Sequence, residues 1–182
     1  MSYKGWSFIA IFLFGIGLAL GLATPLSIAN LMSEEIVALE EFSRILVPFS
    51  FLTVIFIFIK NVSALVISFV LSPILCLAPI LSLTVNGWLL AFISSAVVQE
   101  ESLGFVLAAL LPHGIFEIPA LIIGQAAALS FGTMAILALL KKGKRNLLLP
   151  NLKQNLRYLL VALALLLPAA IIETYITPLL IS

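Results

Sequence analysis

Charge is what this sequence most lacks. Lys and Arg number 9 and Asp and Glu 8, so charged residues make up 9% of 182. A soluble domain carries about a quarter, and a surface facing water cannot be built from so few. Hydrophobic residues reach 63% and the mean hydropathy is +1.30, so the chain is read as an integral membrane protein. The other shortages narrow the class further. With one cysteine, Cys76, an internal disulfide and a cysteine-based metal cluster are excluded. The net charge is +1 and no basic run is interleaved with aromatics, so nucleic acid is not an expected partner. Alternating ten-residue strands are missing, which argues against an outer-membrane barrel. No phosphate loop, serine nucleophile elbow or His-Glu-x-x-His pattern is present.

What the chain does have is long apolar blocks. Each is able to supply a helix across a hydrocarbon core of roughly 30 Å, where the backbone must satisfy its own hydrogen bonds. The first block runs from Trp6 to about Leu31 and is read as an uncleaved span, longer than the apolar core of a signal peptide. Its Gly17 and Gly21 form a small-xxx-small pair that admits a close helix neighbour. Residues 33–44 differ in texture: Ser33 can cap a helix, Glu34 and Glu35 suit its first turn, and Ile36 and Leu39 share a face. They predict a short amphipathic segment at the extracytoplasmic surface. Ile45–Ile59 is the second span, ended by Lys60-Asn61.

Two longer apolar stretches follow, 62–98 and 103–140. The first is interrupted by Asn86-Gly87-Trp88 and the second by Pro112-His113-Gly114, both read as breaks in a helix. Long-then-short against short-then-long suggests an inverted pair of broken helices, a layout that marks binding sites in transporters. Residues 124–132 are mostly small and suit tight packing. Residues 141–157 are rich in Lys and Arg and are read as a basic cytoplasmic loop, with Asn151 capping a last span from Tyr158 to Ile181. The expected architecture is thus a single, all-α integral membrane domain over residues 1–182. It is a polytopic helical bundle of about five crossings, N-terminus cytoplasmic, with one or two broken or re-entrant helices; seven crossings is the alternative.

Against this background His113, the only histidine, and Glu117 stand out, one helical turn apart in an apolar run. A carboxylate there must be neutral, paired or metal-bound. The pair can clamp a broken backbone by bonding to each other. It can belong to a polar cavity for a small ligand, ion or proton. With Glu173 in the last span it can hold a metal and support hydrolysis, zinc normally requiring three protein ligands. Asn61 and Asn86 complete the set of polar positions.

Pro112-His113-Gly114-x-x-Glu117-x-Pro119-Ala120 and the small-residue helix after it resemble the stage II sporulation protein M family. So do Lys60-Asn61, Asn86-Gly87-Trp88, and Ala169-Ala170-Ile171-Ile172-Glu173 followed by Thr177-Pro178. The resemblance covers most of residues 45–182. It implies a multi-pass protein of a prokaryotic plasma membrane, with Asn61, Asn86, His113, Glu117 and Glu173 as its polar motif positions. The family's namesake works with partner proteins in peptidoglycan remodelling during spore engulfment. The leading expectation for function is therefore a scaffold or component of a membrane complex, with membrane proteins, a second copy of the chain among them, as partners. A small ion- or proton-coupled carrier and a membrane-embedded metal-dependent hydrolase are the alternatives, both using His113 and Glu117. The sequence names no cofactor beyond that candidate metal.

Overall fold

A computed structural model describes residues 2–25, 27 and 48–181. The amphipathic segment expected at 33–44 lies outside them. Five long helices carry the fold: α1 (Tyr3–Ala23), α2 (Phe51–Leu71), α3 (Leu77–Glu100), α4 (Leu103–Leu140) and α5 (Leu148–Tyr175). A short α6 (Thr177–Ile181) follows, and a 3-10 turn at Lys142–Leu147 joins α4 to α5. All five long helices are long and apolar enough to cross a membrane. The chain is an all-α, polytopic membrane bundle.

The helix ends follow local chemistry. α1 stops at Thr24-Pro25, α2 at Ser72-Pro73, and α4 starts at Ser102, whose Oγ accepts from the Phe105 amide at 3.1 Å. Three sequence-based boundaries move. α2 does not end at Lys60-Asn61 but runs through it: neither residue breaks a helix, and an exposed Lys can carry its charge away along its own stem. The supposed break at Gly87 is helical throughout, and so are Pro112 and Gly114. Each proline removes one internal hydrogen bond, and a glycine costs about 1 kcal/mol in a helix. In hydrocarbon no water competes for the remaining bonds, so the helix survives. The basic loop shrinks to the 3-10 turn, because Pro150 sits in the first turn of α5, where it lacks no needed donor; Asn151, Lys153 and Arg157 are therefore helical.

The real interruption of the 62–98 stretch is Ser72–Cys76, a short turn that joins α2 to α3. Leu75 and Cys76 adopt φ of 51° and 56°, in the left-handed region that side chains disfavour. The turn persists because it is held from all sides. The Cys76 amide donates to the Ser72 carbonyl at 3.0 Å, the buried Ser72 hydroxyl to Phe69 O at 2.7 Å, and α4 seats Gly132 directly against the Ser72 carbonyl.

Close backbone approach recurs elsewhere. Gly17 and Gly21 of α1 meet Thr84 and Trp88 of α3, while Gly87 of α3 meets Phe14 of α1. A Cβ at any of them would collide with a backbone carbonyl of the other helix. The small-residue run of α4 is used within the bundle: Ala126, Ala127, Ala128, Ser130 and Gly132 are all buried, and Leu65 of α2 packs on Gly124. That run therefore gives no argument for a second copy docking on it. Phe69 stacks on Phe131 and Tyr3 on Tyr158, tying α2 to α4 and α1 to α5. Gly17→Ala should lower the unfolding midpoint of the purified protein by an amount equivalent to about 1–3 kcal/mol. Gly15→Ala, two residues away with nothing within 4 Å of its added Cβ, should leave it unchanged or slightly higher. Equal shifts for the two variants would contradict the close-approach account.

Candidate functional site

Polar side chains inside the bundle gather at two levels. The first is fully satisfied. Gln125 of α4 is completely buried. Its Oε1 accepts from Ser68 of α2 at 2.6 Å, and its Nε2 donates to Ser82 of α3 at 2.7 Å. One amide thus bolts three helices together. Nearby, buried Asn155 of α5 donates to Ser130 of α4 at 3.2 Å and to Asn151 at 3.0 Å. None of these residues is among the sequence-predicted site. Their signal was visible only as a lone amide in a long small-residue run, which says nothing about its partners.

The second level is built from the sequence-predicted residues. His113 and Glu117 lie one turn apart on α4, as their spacing predicts, with Nε2 3.9 Å from Oε2. That is an ion-pair separation too long for a hydrogen bond. The helix at Pro112 is unbroken, so the reading of this pair as a clamp on a broken backbone fails on both counts. Glu173 comes from the end of α5. One ligand atom from each of His113, Glu117 and Glu173 falls within 4.8 Å of the others, and all three residues are half-buried. Asn61 of α2 donates from Nδ2 to Glu117 Oε1 at 3.4 Å. Thr177, the first residue of α6, places Oγ1 3.4 Å from His113 Nδ1; it is a site residue that sequence reasoning left inside a motif without a role. Lys60, next to Asn61 on α2, acts electrostatically on Glu173 from an exposed position.

Asn86 is placed differently from the other four. Its Nδ2 donates to Ser82 O one turn back at 2.6 Å, and it makes no hydrogen bond to the cluster. It does share with Glu117 and Asn61 the wall of a small cavity of about 50 Å³ that reaches Gln125.

A much larger cavity, about 800 Å³, lies between the C-terminal halves of α1 and α3 and the N-terminal half of α4. Its wall is apolar, including Leu18, Leu90, Leu107 and Leu111, except for Asn86, Ser94, Ser95, His113 and Glu117. Both serines donate to carbonyls of their own helix, at 2.5 and 2.8 Å. The groove's ionisable groups are His113 and Glu117.

The site lies within a region that matches a known family. The sequence matches the family described as Stage II sporulation protein M over residues 8–178. The chain belongs to that family. Among curated proteins it is 36% identical over 103 residues to Uncharacterized protein MJ0793 of Methanocaldococcus jannaschii, covering 56% of this chain and 58% of that protein. It is 31% identical over 110 residues to Uncharacterized protein MJ0706 of the same organism, covering 59% of this chain and 50% of that one. The chain thus spans little more than half the length of these curated relatives. No solved structure matches it. As a member of the Stage II sporulation protein M family it is a multi-pass membrane bundle, an architecture consistent with a component of a membrane complex.

The two polar levels should respond differently to mutation. Gln125→Ala removes both interhelical bonds and opens a cavity in a sealed layer; it should cost about 2–4 kcal/mol. Asn86→Ala, which breaks only a bond within its own helix, should cost less than about 1 kcal/mol. Chemical or thermal unfolding in detergent reads both, and an equal or reversed ranking would refute the assignment of Gln125 as the interhelical bolt.

Proposed function

We propose that this chain is a component of a prokaryotic plasma-membrane complex that acts from within the bilayer, holding an amphiphile in the groove between α1, α3 and α4. The observation that carries the reading is the placement of His113 and Glu117 on the wall of an apolar cavity of about 800 Å³. A largely apolar cavity of that size with a few polar groups, two of them ionisable, suits a molecule with a hydrogen-bonding head and a hydrocarbon tail. Membership in the family described as Stage II sporulation protein M, together with the multi-pass bundle, is consistent with a component of a membrane complex. The exposed faces of the helices are rich in Leu, Ile and Phe, which suits lipid and membrane-protein partners, a second copy included.

A photoreactive phenylalanine analogue at Leu107 or Leu111, both on the groove wall, tests the occupant. Irradiation in native membranes should give adducts with the mass of a lipid or other amphiphile. Adducts mainly to residues 26–47 of the same chain, or to another protein, would overturn the amphiphile assignment.

The α4–α5 connection carries Lys141, Lys142, Lys144 and Arg145, and this local excess of positive charge supports a cytoplasmic position for it. A cysteine at Lys144 in a Cys76→Ala background should resist a membrane-impermeant maleimide in intact cells and react once the membrane is opened. Labelling in intact cells would invert the topology.

A further inference from the structure

We propose that His113, Glu117 and Glu173 form a binding site for one first-row divalent cation, with zinc the best fit. The site stands on its own geometry and does not depend on what fills the groove.

The first argument is charge. Two carboxylates and one imidazole meet inside an apolar bundle, and the only ion pair involving either carboxylate among the described residues is His113–Glu117 at 3.9 Å. Carboxylates placed together away from water need a cation or a proton between them. Lys60 is exposed and makes no such pair with Glu173, and Asn61 offers Glu117 a neutral amide at 3.4 Å. A divalent cation at the centre neutralises both carboxylates at once.

The second argument is spacing. Direct hydrogen bonds would draw these atoms to about 2.7–3.2 Å. They stand instead at 3.9 Å between His113 and Glu117, and within 4.8 Å across all three. Ligands about 2.0–2.2 Å from a tetrahedral zinc lie roughly 3.4 Å from each other, so small rotations of side chains, with no movement of helices, close the site.

The third argument is the outer shell. A ligating histidine uses one ring nitrogen and donates the other N–H to a fixed acceptor. Here Nε2 faces Glu117, and Thr177 Oγ1 stands 3.4 Å from Nδ1, so Nδ1–H donates to Thr177 when Nε2 binds metal. Asn61 orients Glu117 in the same way. One imidazole and two carboxylates are donors that suit zinc and its first-row neighbours. Three protein ligands leave a fourth position, and two of the three line the groove, so that position is accessible to a bound molecule's polar head.

The test uses the full chain, purified in detergent, stripped with a chelator, and titrated with zinc chloride. Bound zinc is read by elemental analysis after desalting and by the shift of the unfolding midpoint. The wild type should retain about one equivalent and unfold at a higher temperature with zinc. Glu173→Gln and His113→Ala should each lose retained zinc and the thermal shift. Thr177→Val should keep the site but weaken zinc binding by about 10-fold or more. Ser94→Ala, on the same groove wall but outside the donor set, should bind as the wild type. The proposal is overturned if the wild type retains no zinc, or if Glu173→Gln and His113→Ala retain as much as it does. Neither result bears on the lipid adducts expected at Leu107, so failure of this site and failure of the groove assignment are distinguishable.

Discussion

In hydrocarbon a polar side chain can bond only to the protein around it, and the bundle is arranged by that constraint. The helices carry scattered Ser, Thr, Asn and Gln residues, and each described one that is buried has found a partner. Several settle the matter locally. Thr84, Ser94, Ser95 and Thr174 return a hydrogen bond to their own helix three or four residues back. Such bonds hold no helix to another. Gln125, Asn155 and Asn61 are among those that reach another helix, since an amide reaches farther and offers both a donor and an acceptor. The bonds of Gln125 and Asn155 to Ser68, Ser82 and Ser130 fix the rotation of α2, α3 and α5 relative to α4, and so decide which faces meet at the site.

The amides could not do this if the helices stood at ordinary separation. Glycine at 17, 21 and 87 lets the backbones of α1 and α3 touch, and Gly132 lets α4 meet the α2–α3 turn, while Ser82 of α3 reaches Gln125 of α4. The hydrophobic effect gives no help, because lipid tails are as apolar as leucine; dispersion contacts and interhelical hydrogen bonds must supply the cohesion. The left-handed residues at Leu75 and Cys76 belong to the same economy of space. They let α2 turn back into α3 over five residues, with Gly132 of α4 packed so closely beneath the turn that a Cβ would collide with the Ser72 carbonyl.

Much of this was legible in the sequence, and the failures share one cause. The apolar blocks announced five long helices, Gly17 and Gly21 announced a close neighbour, and the four-residue spacing announced that His113 and Glu117 share a face. The misreadings were all of helix punctuation. Asn-Gly at 86–87, Pro-His-Gly at 112–114 and Lys-Asn at 60–61 would end helices in water, where a freed carbonyl finds a solvent partner. Without water the same residues stay helical, and their polar or missing side chains serve packing and the site instead. Tertiary partnership was the other invisible layer. Nothing near residue 125 points to Ser68 or Ser82, and Thr177 shows its relation to His113 only when α6 is folded back beside α4.

The two polar levels differ in a way that separates structure from function. At Gln125 donors and acceptors are matched in number, neutral, and sealed from the groove; such a network rigidifies the bundle and leaves nothing for a ligand. At His113, Glu117 and Glu173 the groups are ionisable, stand farther apart than hydrogen bonds require, and lie half-buried beside an apolar cavity. A cluster whose only task was to hold helices together would gain by contracting or by replacement with neutral amides, as the level beside it demonstrates. That α4 carries both levels, about two to three turns apart, means the rigid one positions the other. Gln125 fixes the helix, and the helix fixes Glu117 and His113 against Glu173. The arrangement of these three side chains is therefore a property of the packing around them as much as of the side chains themselves.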